Sequence, residues 1–507
     1  MNTALDGKGY RRFDGRVDRK DASLAVLKSR YYMAKSFDIA IETIGDSIAA
    51  AGPARRGIER AHPGSEISSS GTGKSFYIET FGCQMNVHDS EKVAGVLLNR
   101  GYRPAASAAE ADLMLYNTCS IREKAAQKVF SRLGEWRGEK GKIIGVLGCV
   151  AQQEGEEIFE RAPWVSLVCG SASYRKLPEL VGELESGGRR VIGLDLDVEE
   201  TFETEITRRD NPIRAYITII EGCDYNCSYC VVPHTRGPER SRSSQLVLAE
   251  AHRLAEAGYS EIQLLGQTVN SYRDPSPRKL TFVDLLGEVA SVEGVRRLRF
   301  TTSHPNDFHR EIVQAIESTP VLCEHIHLPV QSGSTRVLRE MRRTYTREEY
   351  LEKISWIHHA RRSISVTTDV IVGFPGETEE DFEDTITLLD AVGYDGVFSF
   401  IYSPRPHTTA AHMPDAIPPL EKSRRLAILQ ERQRKIQLAR NEKLIGQTFE
   451  VLVDGRHAAR EQWTGRSGGN QIINFTSPRE NLLGEYVQAR VMRAGPHSLI
   501  GEHSLSV

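Results

Sequence analysis

Apolar and polar positions along most of this chain follow two alternating spacings. From residue 74 onward, short apolar runs of strand length alternate with segments whose apolar residues recur at helical spacing. The first apolar runs are 76–80, 113–116 and 143–147, and 89–100 has the helical spacing. Strands that alternate with helices predict a parallel sheet with crossover helices. We therefore expect residues 74–196 to form an open parallel α/β sheet domain.

A second α/β series follows a polar stretch at 196–211, which is first acidic and then basic and is typical of a linker. The apolar runs of this series are 216–220, 262–265, 297–301, 325–329, 365–372 and 396–401. Strand–helix units in this number predict a partial (β/α)6 barrel over residues 212–441.

The two ends of the chain have other patterns. Residues 421–443 predict a basic helix, and 444–507 show short alternating strands with glycine-containing turns, which predicts a small β-barrel. Residues 1–73 are rich in Arg, Asp, Ala and Ser and end in the linker-like stretch 68–73. We expect this N-terminal extension to be largely disordered, with a helix over 22–50.

Composition narrows the class of protein. Of 507 residues, 39% are hydrophobic and 26% are charged, and uninterrupted apolar runs of about 18 residues are absent, so we expect no membrane span. The first thirty residues lack the apolar core of a secretory signal, which favours a cytoplasmic, reducing location. The net charge of −3 neither indicates nor excludes a nucleic-acid partner. Eight cysteines in such a chain indicate metal binding or redox chemistry rather than disulfides.

Three of the cysteines each follow a predicted strand of the first domain. Cys83 comes after 76–80, Cys119 after 113–116 and Cys149 after 143–147. The loops at the carboxyl ends of parallel strands meet along one edge of a sheet, so these residues should approach one another in space. The alternative is three buried core thiols, since free cysteine is among the most buried residue types.

The other cluster of cysteines has the spacing C-x3-C-x2-C and consists of Cys223, Cys227 and Cys230, directly after a predicted strand. Three thiolates on one loop can ligate three irons of a 4Fe-4S cluster and leave the fourth iron open to a small-molecule ligand. The alternative is a structural zinc site with a remote fourth ligand. Cys169 and Cys323 lie outside both triads, and we interpret them as structural.

The residues around both triads resemble the radical-SAM methylthiotransferases. The blocks that carry the resemblance are Phe-Gly-Cys-Gln-Met-Asn (81–86), Asn-Thr-Cys-Ser-Ile-Arg-Glu-Lys-Ala (117–125), Gly-Cys-Val-Ala-Gln (148–152), Ile-Glu-Gly-Cys (220–223) and Val-Val-Pro-His-Thr-Arg-Gly (231–237). Within the family they most resemble the branch that makes 2-methylthio-N6-dimethylallyladenosine in tRNA. The resemblance runs from about residue 74 to the C-terminus and leaves the first 73 residues unexplained.

The resemblance implies two 4Fe-4S clusters, one held by Cys223, Cys227 and Cys230 together with S-adenosylmethionine (SAM), the other an auxiliary cluster held by Cys83, Cys119 and Cys149. It also implies two SAM molecules per turnover. One donates a methyl group to sulfur on the auxiliary cluster, and the other yields a radical that abstracts hydrogen from C2 of the adenine. Both clusters must then face one cavity.

The same resemblance places SAM at the carboxyl ends of the barrel strands, where the loops of such barrels carry function. The expected SAM contacts are Tyr229, Gln267, Asn270, Ser303, Gln331 and Asp369. Thr268 stands where Asn is usual in the family. His325 and His327 share one face of a strand, where we expect hydrogen bonding inside the barrel rather than a metal pair.

The expected macromolecular partner is tRNA, at its anticodon stem-loop, with the modified base at position 37. Arg236, Arg240, Arg242 and the basic helix are candidate phosphate contacts. The C-terminal segment resembles a TRAM RNA-binding domain. The resemblance also implies a one-electron donor such as a flavodoxin or ferredoxin and the iron–sulfur assembly machinery, and we expect a monomer.

Other functions stay open at this point. Related enzymes act on threonylcarbamoyladenosine in tRNA or on an aspartate of a ribosomal protein. An alternative of another class is a non-catalytic, zinc-bearing RNA-binding protein.

Overall fold

The computed structural model describes residues 73–120, 123–139, 141–196, 207–209 and 211–504. All of them belong to one compact unit, 62–507. The expected N-terminal extension, except for Gly73, the helix expected over 22–50 and most of the expected linker lie outside these residues. Across the described ranges, no helix combines the length and the apolar composition that crossing a membrane requires.

The N-terminal domain is built on a parallel sheet, as the alternation of strands and helices predicts. In the described part of this domain the strand order is β2-β1-β3-β4-β5-β6. The strands are β1 (Ser75–Phe81), β2 (Arg103–Pro104), β3 (Leu113–Thr118), β4 (Ile143–Leu147), β5 (Leu167–Cys169) and β6 (Val191–Gly193). The helices are α1 (Gln84–Asn99), α2 (Glu123–Glu135), α3 (Cys149–Glu154), α4 (Glu157–Arg161) and α5 (Leu177–Glu185).

Strand β3 shows how this sheet is covered on both faces. All six of its residues are buried. Leu113 and Leu115 belong to a core with residues of α1 and α5, whereas Met114 and Tyr116 belong to a second core with residues of α2 and α4. Successive side chains of a strand point to opposite faces, so a continuous apolar run is what a sheet between two helical layers requires.

The central domain confirms the predicted partial barrel. Its described strands form two three-stranded parallel sheets, ordered β7-β10-β11 and β12-β13-β14. These strands are β7 (Arg214–Thr218), β10 (Glu261–Leu265), β11 (Arg297–Phe300), β12 (His325–His327), β13 (Ser365–Val372) and β14 (Gly396–Ile401). A short antiparallel pair, β8 (Ile220–Glu221) and β9 (Arg240–Ser241), closes the base of the loop that contains Cys223, Cys227 and Cys230.

Helices of the central domain pack outside the strands around a core of apolar residues. They are α6 (Val232–Arg236), α7 (Ser244–Glu256), α8 (Phe282–Ala290), α9 (Arg310–Ser318), α10 (Thr335–Glu340), α11 (Arg347–His358), α12 (Glu379–Val392) and α13 (Pro419–Glu442). Helix α13 is the predicted basic helix.

The C-terminal segment is a closed β-barrel with the order β15-β16-β17-β19-β18 in the described residues. Its strands are β15 (Thr448–His457), β16 (Gln462–Arg466), β17 (Ile472–Thr476), β18 (Tyr486–Ala494) and β19 (Leu499–His503). Arg299 of β11 donates hydrogen bonds to the carbonyl oxygens of Ser467 (2.6 Å) and Gly468 (2.9 Å), and Ser260 bonds Tyr486 at 3.1 Å. The small barrel therefore lies against the end at which the parallel strands begin, away from the strand ends that carry the cysteine loops.

Candidate iron–sulfur and SAM site

The upstream cysteines lie at one edge of the N-terminal sheet, after adjacent strands. Cys83 follows β1 and caps the N-terminus of α1, Cys119 follows β3, and Cys149 follows β4 and is the first residue of α3. A side-chain carbon at Gly82 would lie only 2.4 Å from Cβ of Cys119, so this glycine lets the first two cysteine loops approach. Burial raises the pKa of the Cys149 thiol, and nearby Cys83 also acts to raise it.

Two buried asparagines hold these loops together. Asn86 accepts a hydrogen bond from the Cys83 thiol (3.1 Å) and donates one to Oδ1 of Asn117 (3.2 Å). Asn117 donates in return to the Asn86 carbonyl oxygen at 2.9 Å. Gly148 has a φ of +83°, and a Cβ there would lie 2.3 Å from Oδ1 of Asn117. The asparagines beside the cysteines are thus framework residues, a role that their place in the sequence did not reveal.

The second triad lies on the loop between β8 and β9. The Cys223 amide donates to the Gly237 carbonyl oxygen (3.2 Å), and the Cys230 amide donates to the Cys227 carbonyl oxygen (3.0 Å). Burial, followed by the neighbouring Cys227, raises the pKa of the Cys230 thiol to about 12. Arg343 donates to the Cys227 sulfur at 3.5 Å. The buried positive charge of Arg343 therefore lies where it can balance the negative charge of a triad that holds a cluster.

The chemistry of the donor atoms decides which metal group these triads fit. Across the described ranges, no three or more Cys, His, Asp and Glu side chains are grouped so that they could hold a metal ion. Each triad is a set of free thiols, and thiolates are the protein ligands of iron–sulfur clusters. The triads therefore offer the donor type of an iron–sulfur cluster, although the three thiols of neither triad are grouped closely enough to hold a single metal ion. Cys169 and Cys323 are buried thiols outside both triads, with pKa values raised by burial to about 12 and about 11.

Four of the expected SAM contacts, Gln267, Asn270, Ser303 and Gln331, lie on segments that follow barrel strands, whereas Asp369 lies within β13 and Tyr229 lies on the cysteine loop. Gln267 follows β10 and Ser303 follows β11, and Oε1 of Gln267 and Oγ of Ser303 are buried without a hydrogen-bond partner among the described atoms. Buried polar atoms are almost always paired, so orphaned oxygens in one region are the property expected of a ligand site. Gln331 and the half-buried Asp369 are joined through the backbone, since the Gln331 amide donates to the Asp369 carbonyl oxygen at 2.9 Å.

Asn270 and Tyr229 are placed differently from these. Both ends of the Asn270 amide bond the backbone of His304, each at 2.8 Å, so its side chain braces a loop. Tyr229 packs against an apolar cluster that includes Met341 and Phe374. Asn270 thus lies at the carboxyl end of the barrel strands, and its side chain fixes the backbone of a neighbouring loop.

Two of the eight non-glycine residues that have a positive φ in the described ranges lie at these strand ends. Thr302 has a φ of +74° and Gln331 a φ of +72°. Positive φ is uncommon for residues other than glycine and is unfavourable for a β-branched residue such as threonine. Strain of this kind persists where the surrounding structure fixes it, commonly at functional sites. It is a site feature that the sequence did not predict.

His304 packs against Tyr225, which lies on the loop between Cys223 and Cys230. Its ring stacks on Tyr225 with a centroid distance of 3.7 Å and an interplanar angle of 10°. The Tyr225 hydroxyl donates to Oδ2 of Asp307 at 2.7 Å. Burial, together with the positive charge of Arg343, lowers the pKa of His304 to about 2, so its imidazole is neutral.

The interior of the partial barrel is polar. His325 and His327 each bond the Thr367 hydroxyl at 3.0 Å, which confirms the expected hydrogen bonding inside the barrel. Nε2 of His327 lies 3.6 Å from Oδ1 of Asp369, and its ring contacts Phe398 edge to face. The Phe398 side chain is 45% exposed although it lies on a barrel strand. An open aromatic face beside a carboxylate is suited to a flat, partly apolar ligand.

Buried ion pairs join the N-terminal domain to the barrel. Asp89 of α1 pairs with Arg236 at 2.5 Å, and Lys92 of the same helix pairs with Glu221 at 3.1 Å. Arg242 is 1% exposed and pairs with Glu250. The expectation that Arg236 and Arg242 contact phosphates is therefore wrong, because both guanidinium groups are buried against carboxylates.

The arginines of α13 also pair within the protein. Arg424 and Arg425 bond Glu379 and Glu377, Arg432 bonds Asp390, and Arg440 bonds Asp395. These contacts tie α13 to α12 and to the start of β14. The arginines of this helix thus stabilise its packing against the rest of the barrel domain, which argues against the expected contacts with RNA phosphates.

Comparisons with known proteins agree with this architecture. The uncharacterized protein family UPF0004 matches residues 75–170, the radical SAM superfamily matches 217–389, and the TRAM domain matches 442–503. Among solved structures, the radical SAM methyltransferase TsrM from Kitasatospora setae, with cobalamin and a [4Fe-4S] cluster bound, aligns with a TM-score of 0.51 and 16% identity over 67% of this chain and 74% of that chain. A likeness at that identity shows a shared fold.

Curated relatives are much more similar. A tRNA-2-methylthio-N(6)-dimethylallyladenosine synthase from Solibacter usitatus is 62% identical over 86% of this chain and 99% of its own length. Synthases of the same name from Koribacter versatilis and Geobacter metallireducens are 60% and 45% identical over 85% of this chain and 98% of each relative. Identity at this level along almost the whole of each relative means that the chain belongs to the radical-SAM family of tRNA-2-methylthio-N(6)-dimethylallyladenosine synthases.

Proposed function

We propose that this protein transfers a methylthio group to C2 of N6-dimethylallyladenosine at position 37 of tRNA, next to the anticodon. The product is 2-methylthio-N6-dimethylallyladenosine. The observation that carries the proposal is a pair of cysteine triads in domains joined by buried ion pairs, in a chain whose relatives are named for this product.

As a radical-SAM enzyme, the protein uses an iron–sulfur cluster and SAM. We assign that cluster to the loop triad and a second, auxiliary 4Fe-4S cluster to the sheet-edge triad. The ligand sets are Cys223, Cys227 and Cys230 for the first and Cys83, Cys119 and Cys149 for the second. When bound, the first cluster would pass on the electron that cleaves SAM, the auxiliary cluster would carry the sulfur, and SAM would supply the methyl group and the radical.

In this proposal the chain's own residues bind and orient SAM. Gln267 and Ser303 offer buried, unpartnered oxygens that suit the amino and hydroxyl groups of SAM. Gln331 follows β12 and Asp369 lies within β13, and Tyr229 lies on the cysteine loop itself, where it packs against an apolar cluster. Asn270 acts indirectly, because it fixes the backbone of His304.

The polar barrel interior is the proposed position of the tRNA adenine that is modified. His327 can accept or donate a hydrogen bond at the edge of this base, and Phe398 offers an apolar face for its dimethylallyl group. An anticodon loop presents unpaired bases, so extruding one costs little free energy.

The remaining partners follow from this assignment. Residues 444–507 form the proposed TRAM-like RNA-binding domain, where Arg456 and Arg460 are exposed at the turn between β15 and β16. The other proposed domains are the extension 1–73, the auxiliary-cluster domain 74–196 and the radical-SAM barrel 212–441. A flavodoxin or ferredoxin is the proposed electron donor, the iron–sulfur assembly machinery loads the clusters, and the enzyme acts as a monomer in the cytoplasm with tRNA.

The direct test measures modified nucleosides. Anaerobically reconstituted protein is incubated with SAM, reductant and tRNA that carries dimethylallyladenosine, and the digested nucleosides are analysed by mass spectrometry. The wild type and a Cys169→Ala control should yield the methylthio product, because Cys169 is a buried thiol outside both triads. Cys119→Ala should cleave SAM without forming that product, whereas Cys227→Ala should not cleave SAM.

Two results would contradict the proposal. Product formed only on threonylcarbamoyladenosine tRNA or on ribosomal protein would assign the enzyme to a different substrate. Zinc in place of iron, without SAM cleavage, would indicate the non-catalytic RNA-binding alternative.

A further inference from the structure

Helix α1 connects the two cysteine triads. The residue that caps its N-terminus is Cys83, an auxiliary-triad cysteine. Its middle carries Asp89 and Lys92, which are 1% and 7% exposed. Charged side chains are rarely buried unless they are paired, and both of these are paired across the domain boundary.

The partners of these residues flank the other triad. Lys92 pairs with Glu221, two residues before Cys223, and Asp89 pairs with Arg236, six residues after Cys230. One helix thus holds both ends of the loop that carries the second triad. Loss of either pair would leave a buried charge without its partner, so the pairs fix the position of this loop relative to Cys83.

Arg236 also lies beside the auxiliary triad. The short helix α6, which ends at Arg236, packs against α3, which begins at Cys149. The Arg236 charge therefore acts on the Cys149 thiol and also on Cys83. An arginine presents several donors in a fixed fork, so it can bond Asp89 and still offer a donor to a neighbouring sulfur, whereas a lysine offers a single point charge.

We propose that Arg236 is a positioning residue that couples the two triads: held by Asp89, it balances negative charge at the auxiliary cluster and raises the reduction potential of that cluster. This inference rests on the proposed function, because it requires a cluster on Cys83, Cys119 and Cys149. The physical reason is that reduction adds a negative charge, which a nearby buried cation stabilises, and the potentials of iron–sulfur clusters follow net charge and hydrogen bonds to sulfur.

The test isolates the auxiliary cluster. In a Cys223/Cys227/Cys230 triple-alanine parent, Arg236→Gln, Arg236→Lys and Arg299→Gln are compared by iron content and by spectroscopic redox titration. Arg299→Gln is the matched control, because Arg299 is likewise 6% exposed and ion-paired, to Glu261 at 3.1 Å, on the side of the barrel that faces the C-terminal domain.

At the midpoint potential of the parent, Arg236→Gln should lower the ratio of reduced to oxidised cluster at least tenfold, which is 59 mV for a one-electron couple. Arg236→Lys should show a smaller decrease, and Arg299→Gln should match the parent. A merely structural role would destabilise Arg236→Gln and Arg299→Gln alike without moving the potential. Equal potentials in iron-loaded Arg236→Gln and parent would overturn the inference. If Arg236→Gln loses its iron, the Arg236→Lys titration decides alone.

A second measurement needs no cluster. In the cluster-free full-length chain, Asp89→Asn should speed amide hydrogen exchange over 222–236, whereas Arg299→Gln should not, and unchanged exchange would refute the coupling. A triple-alanine parent without iron would instead refute the two-cluster function, and the exchange result would still decide whether Asp89 holds the loop. The two failures are therefore distinguishable.

Discussion

Gly222, which precedes the first cysteine of the loop triad, gives the sharpest steric prediction. It has a φ of +79°, and a Cβ at this position would lie 1.9 Å from the Pro238 carbonyl oxygen and 2.6 Å from that of Gly237. The next residue, Cys223, donates its amide proton to the same Gly237 carbonyl at 3.2 Å. Gly222→Ala must therefore push apart the two chain segments that close the base of the loop.

The size of the effect has two parts. A side chain at positive φ costs about 1–2 kcal/mol. The contact with Pro238 must open by at least 3.0 − 1.9 = 1.1 Å, because Cβ contacts under 3.0 Å essentially never occur. Both opposing atoms are backbone, so we add about 1–3 kcal/mol for the overlap. Gly222→Ala should destabilise the protein by about 2–5 kcal/mol and displace Cys223 from the position in which we propose that it binds the cluster.

Gly237→Ala is the matched control. Its φ is +76° and its ψ is −167°, a conformation that favours glycine, but apart from its chain neighbours no atom lies within 4 Å of the added Cβ, so it bears the backbone cost without the overlap. Urea unfolding of the cluster-free proteins and iron analysis after reconstitution measure both effects. Gly222→Ala should be less stable than Gly237→Ala by about 1–3 kcal/mol and should lose the loop cluster. Equal stability and equal iron in the two variants would refute the steric reasoning.

Three further predictions concern the barrel. Burial lowers the pKa of His304 to about 2 in the folded protein, whereas the ordinary value in the unfolded chain is about 6.5. Below pH 6.5 protons therefore bind the unfolded chain preferentially. Between pH 7.5 and 5.5 the free energy of unfolding of the wild type should fall by about 1.4 kcal/mol more than that of His304→Phe. If urea unfolding gives the same change in free energy of unfolding between the two pH values for both proteins, the reasoning is contradicted. Although burial opposes it, Arg299 and Arg214 lower the pKa of Glu261 to about 2, so Glu261→Gln should cost about 3 kcal/mol at pH 7. That difference should shrink as the pH falls from about 4.3 towards 2, and a constant difference would argue against the ion pairs. Phe398→Ala should raise the KM for dimethylallylated tRNA roughly tenfold, the value of about 1.4 kcal/mol of lost apolar contact. An unchanged KM would remove Phe398 from the substrate site.

Apolar patterning predicted several strands closely. The expected strands 143–147, 365–372 and 396–401 match β4, β13 and β14 residue for residue, because apolar and β-branched residues predominate in each of them. Helix α1 begins at Gln84 rather than at 89, since its first turn carries polar framework residues such as Asn86. In the C-terminal barrel the pattern predicts strands over 449–453, 470–475 and 486–493 but misses β16 and β19, because these short strands alternate with polar residues and contain glycine.

The candidate site was predictable as far as it consists of cysteine spacing and strand ends. The position of Cys83, Cys119 and Cys149 after adjacent strands, at one edge of the sheet, follows from parallel topology alone. The pairing of Asp89 with Arg236 does not, because a charged residue in a sequence gives no sign of being buried until a distant helix supplies its partner. For the same reason Arg236 was expected at the surface. The orphaned oxygens of Gln267 and Ser303 and the positive φ of Thr302 are likewise properties of the folded backbone.

The central claim is that the two triads hold separate clusters. Iron and sulfide should be measured in anaerobically reconstituted wild type, in the Cys223/Cys227/Cys230 triple-alanine variant and in the Cys83/Cys119/Cys149 triple-alanine variant. The account predicts about eight irons in the wild type and about four in each variant, since each 4Fe-4S cluster contributes four. Four irons in the wild type, unchanged when Cys83, Cys119 and Cys149 are replaced, would reduce the sheet-edge triad to structural thiols and contradict the account.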